Sequence, residues 1–237
     1  MKPPINHQQI VVFTGSGISA ASGIPTYQSN DGQRMQPAIS AHSWKEDPEL
    51  VLKHFNQRRQ LMSQAKPNAA HTAIAALETN YKVIVITQNL DDLHEQAGST
   101  EVLHLHGSIH HARSRGKDQS RLRLNSDLCL NSATPDGHPL RPDVVWFGEA
   151  PLHIEQAKHH MKTAEKVLVI GTSLTVQPAA SLLKHARYDA EKVLVTKSIA
   201  KIPFGFKYRP GDATELVPLL VKKWLAEFES SNDRSNN

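Results

Sequence analysis

Residues 10–25 read IVVFTGSGISAASGIP. The apolar run at residues 10–13 ends abruptly in a glycine-rich turn, which predicts a buried strand followed directly by a helix. Gly15, Gly17 and Ala20 fit the spacing G-x-G-x-x-G/A of a dinucleotide-binding turn, in which glycines let the backbone approach a pyrophosphate. The acidic residue that usually follows about 20 positions later is missing, since residues 35–37 are Met, Gln and Pro. The stretch therefore predicts either a phosphate-binding turn unlike that of ordinary dehydrogenases or a turn without a ligand.

The composition is that of a globular protein. The 237 residues suffice for one large domain or for one domain that carries a smaller insertion. A net charge of +4 is too small to indicate nucleic-acid binding. The single cysteine, Cys129, excludes an internal disulfide and suits a reducing compartment. No segment has the pattern of a signal peptide or a membrane span, so the cytoplasm is the expected location.

Apolar runs and helical patterns alternate along the chain. Besides the first strand, buried strands are expected at residues 83–87, 102–105, 144–147, 167–170 and 193–196. Helices are expected at residues 49–65, 69–80, 91–97, from about 178, and 212–228. This alternation predicts an α/β protein with a parallel sheet covered by helices on both faces. Residues 110–141 predict a small exposed insertion, and residues 230–237 predict a disordered tail.

Polar residues cluster where four of these strands end. The clusters are residues 14–17, 87–91, 104–108 and 171–173. Because the carboxyl ends of parallel strands meet at one edge of a sheet, where α/β proteins bind ligands, we expect the clusters to lie together. Each one could be ordinary turn chemistry, with Asn89 and Asp91 as helix caps. Four of them at one edge favour a ligand site.

This combination resembles the sirtuins, the NAD-dependent protein lysine deacylases, over residues 10–220. The segments that carry the resemblance are TGSGISAASGIP at 14–25, TQNLDDLH at 87–94, LHGS at 105–108, RPDVVWFGE at 141–149 and GTSLTVQP at 171–178. The resemblance implies a single Rossmann-type domain, formed by about residues 1–30, 81–108 and 142–229. It also implies a small lobe from two insertions, a helical one at about 31–80 and a degenerate zinc-type module at 109–141.

The resemblance implies a deacylase that consumes NAD and releases nicotinamide and an O-acyl-ADP-ribose. His106 would be the general base for a ribose hydroxyl, since an imidazole titrates near working pH; a core or capping histidine is the alternative. Gln88, Asn89 and Asp91 would line the nicotinamide pocket. The other NAD contacts would be Gly15, Ser16, Gly17, Ser19, Tyr27, Gln28, Gly171, Thr172, Ser173, Lys197 and Ala213. The peptide would add as a strand along Val145, Phe147, Gly148 and Glu149, and His71, His94 and His104 are expected to be structural.

Three positions near the expected NAD site depart from the family pattern. Gln28, after the aromatic Tyr27, stands where the family usually has an arginine. Ser16 replaces an alanine, and Lys197 stands close to where an asparagine commonly contacts the adenosine ribose.

The insertion departs most, because sirtuins commonly carry four zinc-binding cysteines there. This chain offers only Cys129, with His110, His111 and His138 at no paired ligand spacing. Tetrahedral zinc needs four ligands, so we expect no zinc.

Residues 54–61, HFNQRRQL, resemble the bacterial-type sirtuin branch that removes succinyl and malonyl groups. In that branch a tyrosine, and an arginine three residues later, hold the acyl carboxylate. The corresponding residues here are Phe55 and Arg58. Arg58 could pair with a carboxylate through two hydrogen bonds; a solvated helix charge is the alternative.

Two other functions fit the same motifs. One is ADP-ribosyl transfer or NAD hydrolysis, which needs the NAD pocket but no acyl-lysine tunnel. The other is a weakly active NAD-binding or interaction module. The expected partner is an acylated lysine in a protein, without nucleic acid or membrane, and the oligomeric state is left open.

Overall fold

The computed structural model describes residues 6–26, 40–117 and 119–235. The strands in these ranges are β1 (Asn6–Thr14), β2 (Lys82–Thr87), β3 (Val102–His104), β4 (Gly107–Ser114), β5 (Arg121–Arg123), β6 (Leu140–Val144), β7 (Ala164–Ile170), β8 (Glu191–Thr196) and β9 (Lys207–Pro210). The α-helices are α1 (Ala41–Glu46), α2 (Pro48–Gln64), α3 (Ala69–Ala76), α4 (Leu93–Gln96), α5 (Ile154–Thr163) and α6 (Ala213–Ser235). Shorter 3-10 helices form at Ala20–Ser22, Leu77–Thr79 and Ala179–His185.

Six strands form a parallel sheet in the order β3-β2-β1-β7-β8-β9. Both faces are buried, because successive residues of β1 enter different cores. Ile10 and Val12 pack with α3 and α6, whereas Val11 and Phe13 pack with α5 and the Ala179–His185 helix. The expected α/β fold with helices on both faces of a parallel sheet is therefore confirmed.

A smaller antiparallel sheet, in the order β5-β4-β6, lies in the expected insertion. It shares a third apolar core with α2, which contributes Leu52, Phe55 and Met62. The Asn56 side chain exchanges two hydrogen bonds with the Leu128 backbone, at 2.9 and 3.0 Å. The helix and the small sheet are thus joined by both apolar packing and hydrogen bonds.

The strand predicted at residues 144–147 is wrong in position. β6 ends at Val144 and belongs to the antiparallel sheet, not to the parallel one. The reason is local, because the backbone N–H of Val145 donates to His106 O and that of Trp146 donates to the Glu149 carboxylate. The chain after Val144 therefore forms a turn held by its own side chain.

Helix predictions failed at both ends of the chain. After the glycine-rich turn the chain forms only the 3-10 turn Ala20–Ser22, which ends at Gly23 in the left-handed region (φ +85°). At the C-terminus α6 extends to Ser235 instead of ending near Phe228. Residues 230–235, expected to be disordered, are helical because extending an existing helix adds a hydrogen bond per residue without needing a buried face.

Within the described residues, no helix combines the length and the apolar character needed to cross a bilayer. The same residues contain no group of three histidine, cysteine, aspartate or glutamate side chains arranged to hold a metal ion.

A buried ion-pair cluster links the three strands of the small sheet. Asp143 on β6 is fully buried and accepts hydrogen bonds from Arg113 on β4 at 2.6 and 2.8 Å and from Arg121 on β5 at 2.6 Å. These hydrogen bonds are charge-assisted, and removing one partner of such a buried pair would leave an uncompensated charge. This contact joins the strands by side chains that need no metal.

We therefore predict that the small sheet holds together without zinc. Purified protein should contain no stoichiometric zinc by elemental analysis, and a strong chelator should leave the melting temperature unchanged. Asp143→Asn should instead loosen the sheet, because both arginines lose a charged partner, and should speed amide exchange in β4 to β6. Stoichiometric zinc, with chelation causing unfolding, would contradict this prediction.

Candidate active site

The connections of the parallel sheet reverse direction between β1 and β7, since β2 and β3 lie on one side and β8 and β9 on the other. Such a switch point leaves an open crevice at the carboxyl ends of the two central strands. Thr14 pairs with Ile170 at that level, so the turns that follow β1 and β7 are neighbours. All four polar clusters expected from the sequence follow strands of this sheet and end at this edge.

The turns after β1 and β7 approach each other so closely that glycine is required. Gly15 N donates to Ile170 O at 3.0 Å, and Gly17 N donates to Gly171 O at 2.8 Å. A Cβ on Gly17 would lie 2.7 Å from Gly171 Cα, and Gly171 itself has φ +60°. The glycines at these positions are thus explained by backbone packing within the protein, which also places the turn at the switch point.

Gln88 and Asn89 fix the turn after β2 against the turns after β1 and β7. Gln88 Nε2 donates to Thr172 Oγ1 at 3.1 Å, while Asn89 Nδ2 donates to Gly15 O at 3.3 Å and to Ser19 Oγ at 3.1 Å. The three strand-end turns therefore form one hydrogen-bonded unit.

Asp91 is almost fully buried beside this unit. It accepts from Leu93 N at 3.3 Å and hydrogen bonds with Ser19, and burial raises the pKa of its carboxyl above the ordinary value despite these bonds. A buried carboxyl next to polar amides is an arrangement found in binding sites.

His106 lies just beyond the end of β3, and its ring has a defined tautomer. Its Nδ1 lies 3.0 Å from Gln88 O. Because a carbonyl oxygen only accepts, Nδ1 carries the proton, and Nε2 of the neutral ring is an unprotonated base. Burial lowers the pKa of His106, which the bond to Gln88 partly opposes, so the ring is neutral at pH 7.

Two further histidines are buried beneath the crevice. His94 Nε2 lies 3.0 Å from Thr14 Oγ1, which donates to Thr87 Oγ1 at 2.8 Å. His71 packs edge-on against His94 with ring centroids 4.9 Å apart. Burial lowers the pKa of His71 to about 4 and that of His94 well below 6.5. Both rings are therefore neutral in the folded protein at pH 7.

Because both histidines are buried as neutral rings, we expect the free energy of unfolding to fall at acidic pH. Between pH 6.5 and about 4 the unfolded chain binds a proton at His71 that the folded chain excludes, so stability must fall as pH falls through this window. From pH 7 to 5 we expect His71 alone to account for about 2 kcal/mol of lost unfolding free energy. Urea unfolding of wild type and His71→Asn at both pH values measures this term. His42→Asn is the control, because the side chain of His42 is 79% exposed; equal pH dependence in all three proteins would contradict the prediction.

The segment expected to bind a peptide forms a turn with one exposed aromatic ring. Val145 N donates to His106 O at 2.9 Å, which ties the segment to the candidate base. Phe147 is 61% exposed and its backbone bridges to Ser40. Gly148 has φ +91°, and Glu149 Oε2 accepts from Trp146 N at 3.0 Å, so these two residues shape the turn.

Arg141 supports this turn and was missed by the sequence analysis as a functional residue. Its guanidinium stacks on the Trp146 ring, 4.4 Å from the centroid, and donates to Glu149 at 3.0 and 3.3 Å. The available signal was its position at the start of the motif at residues 141–149.

The other described residues expected to contact NAD or the substrate lie in separate parts of the fold. Lys197 is exposed and forms an ion pair with Asp212 at 3.0 Å, just before Ala213 begins α6. Phe55 is completely buried in the third core, and Arg58 follows it on α2 as a half-buried side chain. Tyr27 and Gln28 lie outside the described residues. The half-buried Ser16 and Ser173 lie in the turns after β1 and β7.

Comparison with known proteins identifies the family of this chain. The model of the Sir2 family matches residues 15–178. A protein from Helicobacter pylori named NAD-dependent protein deacylase is 45% identical over 187 residues, which are 77% of this chain and 82% of that protein. A protein of the same name from Vibrio vulnificus is 36% identical over 239 residues, covering 95% of this chain and 97% of its own.

Two solved structures extend the comparison to three dimensions. A Sir2 homologue in complex with NAD has a TM-score of 0.81 at 34% identity, over 93% of this chain and 90% of that one. A Sir2 protein with a p53 peptide and NAD+ has a TM-score of 0.76 at 29% identity, over 90% and 92% of the two chains. The resemblance drawn from the motifs is confirmed, and this chain belongs to the Sir2 family.

Proposed function

We propose that this chain is an NAD-dependent protein lysine deacylase. The observation that carries the proposal is the neutral His106, whose Nε2 is left as a base at the switch point by the bond from Nδ1 to Gln88 O. Relatives that match this chain over most of their own length are named NAD-dependent protein deacylases. A general base, a nucleotide crevice and a peptide-binding turn in one place are the components that such a reaction needs.

The residues at the switch point fit NAD. Hydroxyl and amide groups of Ser16, Gln88, Asn89 and Ser173 can hydrogen bond with ribose and phosphate oxygens or with a carboxamide. Backbone N–H groups of the two glycine turns are partly used in their mutual contact, so side chains must provide much of the remaining recognition. A relative of this fold has been solved with NAD at 34% identity.

NAD, when bound, would supply the electrophilic ribose carbon, with nicotinamide as the leaving group. The chain's own part is to orient and to move a proton. Asn89 and Asp91 are both almost fully buried and would orient the nicotinamide end, since a neutral leaving group needs orientation more than a strong acid. His106 Nε2 would accept the proton of a ribose hydroxyl, and the Gln88 carbonyl, which accepts from Nδ1, would stabilise the imidazolium that results.

The acylated lysine is positioned by the turn at residues 145–149. Arg141 and Glu149 keep this turn rigid, so that its backbone can pair with an extended peptide and Phe147 can cover the apolar part of the substrate. A protein with the same fold has been solved with a peptide and NAD+.

The proposal is tested by measuring nicotinamide release with and without peptides that carry acetyl-, succinyl- or malonyl-lysine. Release that requires an acylated peptide supports deacylation. Equal release without any peptide would instead indicate NAD hydrolysis. Release that requires an unacylated acceptor protein would indicate ADP-ribosyl transfer.

We further propose that Arg58 gives the enzyme a modest preference for acidic acyl groups. Arg58 is half-buried on α2, one turn after Phe55, and a guanidinium can form two hydrogen bonds to a succinyl or malonyl carboxylate. Phe55 has no hydroxyl to share that carboxylate, and its ring is fully packed in the third core. The preference over acetyl-lysine should therefore rest on one charged side chain.

We predict that Arg58→Ala lowers the succinyl-to-acetyl ratio of kcat/KM by about tenfold, the scale of one charge-assisted hydrogen bond. Arg59→Ala is the matched control, because Arg59 is the next arginine of the same helix and its guanidinium is held by Asp127 at 2.6 Å. An unchanged ratio in Arg58→Ala, or an equal change in both variants, would remove Arg58 from the acyl site.

A further inference from the structure

His104 lies between two groups that can only accept hydrogen bonds. Its Nδ1 is 3.0 Å from the backbone carbonyl of Asn89, and its Nε2 is 2.7 Å from the Glu95 carboxylate. Both ring nitrogens must therefore carry hydrogen, which makes His104 an imidazolium. His106, two residues further on, has one such partner, the carbonyl of Gln88. Two histidines thus hold two consecutive carbonyls of the turn after β2, one as a cation and one as a neutral ring.

We propose that His104, paired with Glu95, is a positioning residue that keeps Asn89 and Asp91 in place for the nicotinamide end of NAD. The inference rests on the proposed function, since it deepens the role of the pocket named there. The carbonyl that His104 holds belongs to the same residue whose side chain donates to Gly15 O and Ser19 Oγ. Releasing that carbonyl frees the backbone on which the Asn89 amide and the Asp91 carboxyl depend.

The surroundings of His104 favour its charged form. Glu95 faces it from α4 and Asp91 from the turn after β2, whereas His94 on α4 and His153 before α5 are the other titratable groups near it. Burial opposes the charge, but the hydrogen bond and the negative charge of Glu95 outweigh it and raise the pKa of His104 above 6.5. The side chain of His104 is only 14% exposed, whereas that of Glu95 is 42% exposed, so solvent screens the pair in part.

A pH dependence follows from this arrangement. A histidine with a raised pKa stabilises its contacts below that pKa and loses the effect as pH rises through it. When His104 loses a proton, one of its two contacts must break, because neither Asn89 O nor the Glu95 carboxylate can donate. The remaining proton stays on Nε2, where the bond to the ionised Glu95 is the stronger, so the contact that is lost is the one to Asn89 O. NAD affinity should therefore fall at alkaline pH by about tenfold, the scale of one charge-assisted hydrogen bond.

The variant Glu95→Gln shows whether His104 positions Asn89 through its charge or only through the packing of its ring. The glutamine amide can donate to Nε2 of a neutral His104 while Nδ1–H continues to hold Asn89 O, so the neutral ring satisfies both contacts. This variant should keep NAD affinity near the neutral-pH wild-type value and lose the alkaline fall. Glu101→Gln is the matched control. Glu101 lies at the other end of β3, and its carboxylate also lies near a histidine, His160, so the substitution removes the same charge at another site.

The test combines NAD binding by calorimetry from about pH 6 to pH 9 with 15N spectra of histidine-labelled protein, using wild type, Glu95→Gln, Glu101→Gln and His104→Asn. We expect wild type and Glu101→Gln to lose NAD affinity at alkaline pH and Glu95→Gln to keep it. We also expect the His104 ring to be doubly protonated at pH 7 in wild type. Its signals should vanish in His104→Asn and should become those of a neutral ring in Glu95→Gln. Parallel affinity profiles in wild type and Glu95→Gln, or a neutral His104 in wild type, would overturn the inference. Neither readout needs turnover, so failure of the proposed deacylation would appear separately, as absence of peptide-dependent nicotinamide release.

Discussion

His106→Ala is expected to lower the rate of deacylation at least about a hundredfold, the scale of losing a general base. The variant keeps the strand and the turn, because the backbone contact from Val145 N to His106 O does not involve the ring. It loses the Nε2 base and the Nδ1 donor to Gln88 O together. The measurement is kcat/KM with an acyl-lysine peptide, alongside NAD affinity and melting temperature.

Two controls separate catalysis from folding in that experiment. His42→Ala changes an exposed histidine on α1 and should retain wild-type activity. In wild type, kcat/KM should also decline as pH falls below the lowered pKa of His106, because protonation occupies Nε2. Near-normal deacylation by a folded His106→Ala protein would remove His106 from the reaction.

Gly17→Ala is expected to produce the second large effect. Its new Cβ would lie 2.7 Å from Gly171 Cα and 2.8 Å from Gly171 O, closer than real Cβ atoms come. Since both obstacles are backbone atoms, the turns after β1 and β7 must separate. That should cost roughly 1–3 kcal/mol of unfolding free energy, as overpacking does. We expect NAD affinity to fall by at least about tenfold, because separating the turns displaces Ser16 and the Gly15 carbonyl that receives the Asn89 amide.

Gly23→Ala is the matched control for that substitution. Gly23 has φ +85° but no atom within 4 Å of its Cβ position, so alanine there meets backbone strain without a clash. Strain of this kind costs about 1–2 kcal/mol and should leave NAD affinity near wild type. Equal NAD affinity in Gly17→Ala and wild type would show that the close approach of the two turns does not shape the site.

The parallel sheet could be predicted from sequence because its strands are continuous apolar runs. Residues 10–13, 83–87, 167–170 and 193–195 are buried on both faces, and runs of this kind identify central parallel strands without any knowledge of their neighbours. The position of the site followed from the same reasoning, since polar residues after such strands must meet at one edge.

Elements that depend on distant partners could not be predicted in the same way. α5 begins after His153, which has φ +55° and gives no side-chain cap, so its start lacks the usual sequence signal. β6 ends just before Trp146, whose backbone N–H donates to the Glu149 carboxylate. Strand propensity gives no indication of this hydrogen bond. β9 contributes mostly exposed residues to the edge of the sheet and therefore shows no apolar run.

Side-chain roles in the site were predictable only where the motif itself fixed them. The tautomer of His106 depends on Gln88 O, and the charge of His104 depends on Glu95, which lies nine residues earlier on α4. Both histidines look alike in the sequence LHLHGS at residues 103–108. Their protonation states differ because the Glu95 carboxylate lies beside His104 and not beside His106. This placement is visible only in the three-dimensional structure.

NAD-dependent deacylation is tested most directly by the product balance of a single reaction containing the protein, NAD and an acyl-lysine peptide. We predict that nicotinamide, deacylated peptide and O-acyl-ADP-ribose form in equal amounts and that none forms when the peptide is omitted. Deacylated peptide without consumption of NAD, or nicotinamide formed at the same rate without peptide, would contradict the assignment of this chain as an NAD-dependent lysine deacylase.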